Sequence, residues 1–75
     1  MFVVCKEIRL RTTCYTYLCG GIWGSIYKAT KYATQDEAEA AIRQSAPFEL
    51  PYSFLLLDEI EYFGVTYNRL VYRFY

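Results

Sequence analysis

Asp58, Glu59 and Glu61 lie close together in sequence, and two of them can share one face of a strand. A carboxylate pair does general acid–base work when a cleft holds a substrate between the two groups, and a chain this small offers little concavity. There is no histidine, so the Ser–His and Cys–His routes to an activated nucleophile are absent. Three cysteines, Cys5, Cys14 and Cys19, fit neither an even-numbered disulfide framework nor a four-ligand zinc site. They read as reduced thiols filling small apolar gaps in a cytoplasmic protein. Gly20, Gly21 and Gly24, in CGGIWGS, lack the lysine and following helix of a phosphate-binding loop. The expectation is a protein that is not an enzyme and uses no metal or cofactor, with the carboxylates serving as cross-strand partners for Arg9, Arg11, Arg69 or Arg73.

Binding chemistry is better represented. The outward positions of the first stretch carry Arg9, Arg11, Tyr15 and Tyr17, and those of the last carry Tyr67, Arg69, Arg73 and Tyr75. Arginine interleaved with aromatic residues on a sheet suits stacking on single-stranded bases, provided the two strands are neighbours. Eight basic residues against eight acidic ones work against that reading, because phosphate binding draws on excess positive charge. Nine tyrosines in 75 residues suit a protein contact, since tyrosine buries a large area at low entropic cost and keeps a polar handle. Trp23, between Gly21 and Gly24, either projects from a loop as an anchor or folds back over the open end of a small core. The expected contact residues are therefore Arg9, Arg11, Tyr15, Tyr17, Trp23, Tyr67, Arg69 and Arg73, and the expected partner is another protein. A single-stranded nucleic acid on the same residues, or a homodimer completing the sheet, are the alternatives.

The elements that must position these residues centre on Tyr32–Gln44. Thr34 and Glu37 form a capping-box pair. Asp36, Glu37 and Glu39 sit at the positive end of the helix they start, and Arg43 near its negative end. Ala38, Ala41 and Ile42 give a narrow apolar stripe, so Thr34–Gln44 is expected to be a short helix lying on a sheet. Before it, Phe2 to about Leu18 alternates with period two. Phe2, Val4, Ile8, Leu10 and Cys14 are the inward set, and Glu7, Arg9, Arg11, Thr13, Tyr15 and Tyr17 the outward one. Lys6 interrupts the inward set and suggests a bulge or an edge. Gly20-Gly21 marks a hairpin, with Gly24-Ser25 a second candidate. A two-residue turn at the first would place Tyr27 and Ala29 inward on a returning strand, Ile26–Tyr32.

After the helix, Pro47 and Pro51 start an extended segment whose Phe48 and Leu50 are expected to cover one end of the core. FLLLDEIEYF reads as a strand, with a helix ending at Gly64 as the alternative. In Val65–Tyr75, Leu70, Tyr72 and Phe74 form one face and Tyr67, Arg69, Val71, Arg73 and Tyr75 the other. The order is β-β-α-β-β, an α+β single domain over 1–75 with an antiparallel sheet and one helix on one face.

Such a short chain is stable only with a rich core, and apolar residues make up 55% of it. Charge is segregated: residues 1–31 hold Lys6, Arg9, Arg11, Lys28 and Lys31 against Glu7, whereas acidic residues dominate 32–61. Charged residues break the N-terminal apolar run, so no signal peptide or membrane span is expected. No motif assigns a family. In size and composition the chain is similar to small phage and mobile-element proteins, anti-CRISPR and other anti-defence inhibitors among them, which implies a compact protein that occupies a host protein's surface.

Overall fold

The computed structural model describes residues 1–44 and 52–74. Its elements are β1 (Phe2–Arg9), β2 (Thr13–Cys19), β3 (Ile22–Gly24), a single 3-10 turn at Ile26–Lys28, α1 (Gln35–Gln44), β4 (Tyr52–Tyr62) and β5 (Val65–Phe74). The strands form one antiparallel sheet in the order β3-β2-β1-β4-β5, with α1 on one face. The expected α+β class stands, with three strands rather than two before the helix. The expectations placed on Pro47, Phe48, Leu50, Pro51 and Tyr75 lie outside the described residues.

The helix starts where its cap predicts: the Glu37 backbone N–H donates to Thr34 Oγ1 at 3.2 Å. Ala38 and Ile42 are fully buried, and small Ala38 lets the helix axis approach the sheet. They pack with Val4, Leu18, Phe54 and Leu56 into one core cluster, which Phe2, Trp23, Tyr32, Ala41, Val71 and Phe74 flank. The other face of the sheet has a second cluster, formed by Val3, Cys5, Leu55, Leu57 and Ala29.

Phe2–Leu18 is not one strand. The chain turns at Leu10–Thr12, and Arg9 pairs with Thr13 across the turn. Three turn residues make odd positions pair with odd ones, so the alternation runs on in phase and hides the reversal. Leu10, expected inward, is exposed at the turn, and so is Cys14 at the start of β2. Arg11 sits in the same turn. β1 is the central strand and keeps its register through Lys6. The bulge or edge expected there is absent, because the Lys6 ammonium rests over the Trp23 ring at 4.6 Å from its centroid.

Gly20 and Gly21, at φ 58° and 98°, close the two-residue hairpin between β2 and β3. The returning strand is Ile22–Gly24, not the expected Ile26–Tyr32. Ser25 caps the 3-10 turn by accepting from the Tyr27 backbone N–H, and this turns Tyr27 out to 96% exposure while Ala29 is buried as expected. Tyr32 then exchanges two backbone hydrogen bonds with Phe2, both 2.8 Å. The stretch FLLLDEIEYF is a strand as far as Tyr62; its last residue, Phe63, makes the turn with Gly64, with positive φ at both positions, the geometry that suits a two-residue hairpin.

β5 holds the one departure that rearranges a face. Tyr72 pairs with Leu56 but Leu70 pairs with Leu57, so Val71 is an extra residue in a bulge. Paired residues share a face, and the bulge exchanges the faces of β5 on either side of itself. Tyr72 and Phe74 lie on the helix side, as does Val71, which packs against that core. Leu70, expected to be inward, shares the opposite side with Leu57 and is about half exposed.

Candidate functional site

The face away from the helix was expected to be open; it is largely closed by the chain itself. Segment Ile26–Lys31 crosses one end, with Ala29 in the cluster of Val3, Cys5, Leu55 and Leu57 and Lys31 Nζ on Glu59 Oε2 at 2.5 Å. Tyr17 packs against the middle and shares a hydrogen bond with the Cys5 thiol. Burial is the main cause that pushes the Cys5 thiol up to about 11, which leaves it protonated at neutral pH and without thiolate reactivity.

The other end is closed by charge. Glu7, paired in register with Tyr15 on β2 and Ser53 on β4, has a carboxylate whose residue is only 7% exposed. Arg73 Nη1 donates to Glu7 Oε1 at 2.6 Å, and Arg9 Nη1 donates to the same oxygen at 3.0 Å. Arg9 Nη1 also reaches Ser53 Oγ at 2.5 Å, which satisfies a hydroxyl that is wholly buried. The Arg73 hydrogen bond, with further help from Arg9 and Tyr15, outweighs burial and holds the Glu7 carboxyl below the usual glutamate range. Burial and the Glu7 charge raise the Tyr15 phenol. Among the described residues no buried side-chain nitrogen or oxygen lacks a partner.

Of the expected contact residues, Arg9, Tyr15, Tyr17 and Arg73 do come together here. Arg11 lies in the β1–β2 turn beside them. Tyr67 and Arg69 do not join: the bulge puts them on the helix side of β5, where Arg69 Nη2 meets Asp58 Oδ2 at 3.2 Å and Tyr67 pairs with Ile60. The helix does not reach them, and both stay largely exposed. Trp23 folds back on the core, its ring centroid 5.6 Å from that of Phe54. Of the three carboxylates read from the sequence, Asp58 meets Arg69 across the strands as expected, whereas Glu59 meets Lys31 rather than an arginine, and Glu61 makes no ion pair among the described residues. Asp58 and Glu59 point to opposite faces. Among the described residues, no group of three or more His, Cys, Asp or Glu is placed to hold a metal ion. No helix among them is long and apolar enough to cross a membrane.

The sequence reading missed the outer half of the β4–β5 hairpin. β1 accompanies β4 as far as Asp58, with one further bond from the Glu59 N–H to the Met1 carbonyl. Beyond that point the hairpin is a two-stranded arm. Ile60 faces Tyr67 and Tyr62 faces Val65 on one side of it. All four are exposed, and Phe63 at the tip is 88% exposed with its ring 4.4 Å from that of Tyr62. The signal was present: once Phe63-Gly64 is the turn, these residues fall opposite one another with no third strand to cover them. No family model, curated protein or solved structure matches this chain in the comparisons made with each.

Proposed function

We propose that the chain is a non-enzymatic protein-binding module whose principal contact is the outer β4–β5 arm. The observation that carries this reading is the cluster Ile60, Tyr62, Phe63, Val65 and Tyr67, exposed together on a two-stranded ribbon. Such ribbons are marginal on their own in water, and a contiguous exposed apolar patch is the usual mark of a contact site. A stable interface takes about 800 Å² from each partner, so the contact would extend from the arm onto the adjoining edge of β5. A protein of this size acts by occupancy, so the proposal extends to an inhibitor of the complex it binds, of the anti-defence kind that phages and mobile elements encode. Size and aromatic composition support that extension.

The test is capture of a partner from the native host by the wild-type chain and by Phe63→Ser/Tyr67→Ser. The expected result is a discrete partner lost in the double variant, with the melting temperature unchanged and Tyr27→Ser still binding. Equal capture by all three chains overturns the arm as the contact. Light scattering at twice 8.9 kDa, abolished by the double variant, replaces an external partner with a second copy. Steeply salt-dependent binding of a single-stranded oligonucleotide replaces it with nucleic acid.

A further inference from the structure

Seen from solvent, the Glu7 cluster shows its cations and conceals its anion. The Arg9 and Arg73 side chains are 41% and 38% exposed, whereas that of Glu7 beneath them is 9% exposed. Two guanidinium groups share one carboxylate oxygen, so the cluster keeps one uncompensated positive charge. Both bonds to Glu7, and the Arg9 bond to Ser53, run through Nη1. Among the described residues the Nε and Nη2 donors of the two groups make no hydrogen bond that closes the cluster further. Each arginine has five donors in a planar fork. Glu7 and Ser53 fix the position of Arg9, and Glu7 that of Arg73, so little side-chain freedom is left to lose on binding. Tyr15, about half exposed, stands beside them and supplies a phenol.

We propose that Arg9 and Arg73, held on Glu7, form a receptor for one carboxylate of the protein partner, an aspartate or glutamate side chain set against the Tyr15 ring. This rests on the protein-binding reading and names the chemistry of a second contact, on the face of the sheet away from the helix. The incoming carboxylate completes an alternating array of two cations and two anions, and the guanidinium fork matches its planar geometry. A nucleic-acid strand is a poorer match. Its backbone needs a row of cations, and further along this face Lys31 is already bound to Glu59, while Arg69 lies on the other side with Asp58.

The experiment is a titration of the ¹⁵N-labelled protein, at constant ionic strength, with an acetylated Tyr-Glu-Tyr amide peptide and with its Tyr-Gln-Tyr counterpart. The expected result is a saturable shift of the Arg9 and Arg73 side-chain NH signals with the glutamate peptide and none with the glutamine one. Exposed Arg11 and Arg43 act as internal controls and should stay still. Arg73→Gln should weaken the response at Arg9 roughly tenfold, the loss of one charge-assisted contact. Arg73→Lys keeps the charge on Glu7 but not the fork, and should weaken it as well while preserving the fold. Equal shifts at all four arginines, or none at Arg9 and Arg73, overturn the proposal. So does a single-stranded oligothymidylate that moves these signals at lower concentration than the peptide. If the captured partner binds Arg9→Gln/Arg73→Gln with unchanged affinity, the receptor falls while the arm contact stands.

Discussion

The two faces of this sheet are closed by opposite means. On one, α1 lays Ala38 and Ile42 on Val4, Leu18, Phe54 and Leu56, and the seal is apolar. On the other, short side chains of the sheet are covered by Ala29 and Tyr17 and then by an Arg–Glu–Arg bridge that ties β1 to β5. The first gains its stability from area removed from water and contains no charge for salt to screen or acid to titrate. The second depends on satisfying a carboxylate that burial would otherwise penalise, a smaller and conditional gain. A small chain can thus bury both sides of a sheet with a single helix, at the expense of making one side sensitive to its medium.

The sharpest way to break this contrast is in the apolar seal. Leu56→Ala, at a site with no exposure, should cost about 2–5 kcal/mol by denaturant unfolding. A smaller loss would mean that the helix settles into the space. On the charged side, Glu7→Gln should cost about 1–2 kcal/mol, a figure reduced because both arginines are more than a third exposed. Its pH dependence is the more telling readout. The Glu7 carboxyl titrates below its ordinary value in the folded chain, so its contribution is complete above roughly pH 4.3 and is lost as pH falls through the lower folded value. Wild-type stability should therefore drop more steeply in acid than that of Glu7→Gln, and parallel curves would show that the bridge contributes nothing.

Thr34→Ala removes the oxygen that accepts the Glu37 N–H and should cost about 1 kcal/mol, with no change in the acid limb. Asp58→Asn breaks the exposed pair with Arg69 and should cost less than about 1 kcal/mol, the small value expected of a solvated ion pair. A larger loss would show the base of the arm to be stiffer than its exposure suggests.

What the sequence disclosed and what it withheld divide along physical lines. The α1 cap and stripe and the Gly20-Gly21 hairpin rest on local chemistry, and each is legible from a few neighbouring residues. The turn at Leu10–Thr12 has no glycine or proline, and its three residues leave the alternation in phase, so nothing local announces it. Lys6 read as a break in the inward set because its ring partner, Trp23, is distant in sequence. Glu7 read as outward and solvated. Its burial becomes visible only once β5 is threaded past β4 to bring Arg73 over it. The shared side of Arg9, Tyr15 and Tyr17 was legible from alternation, whereas the approach of Arg73 across the intervening β4 and the separation of Tyr67 and Arg69 were not. No letter in Leu70-Val71-Tyr72 distinguishes a bulge from an unbroken strand.

That single surplus residue, Val71, makes β5 two devices in one. Upstream of it the strand belongs to the projecting arm; downstream it belongs to the lid over Glu7. Substitutions in the first half can remodel what the arm grips without disturbing the lid. Excising Val71 would make Leu70 and Tyr72 direct neighbours that still answer Leu57 and Leu56, so the kink would go while Arg69 and Arg73 kept their opposite flanks.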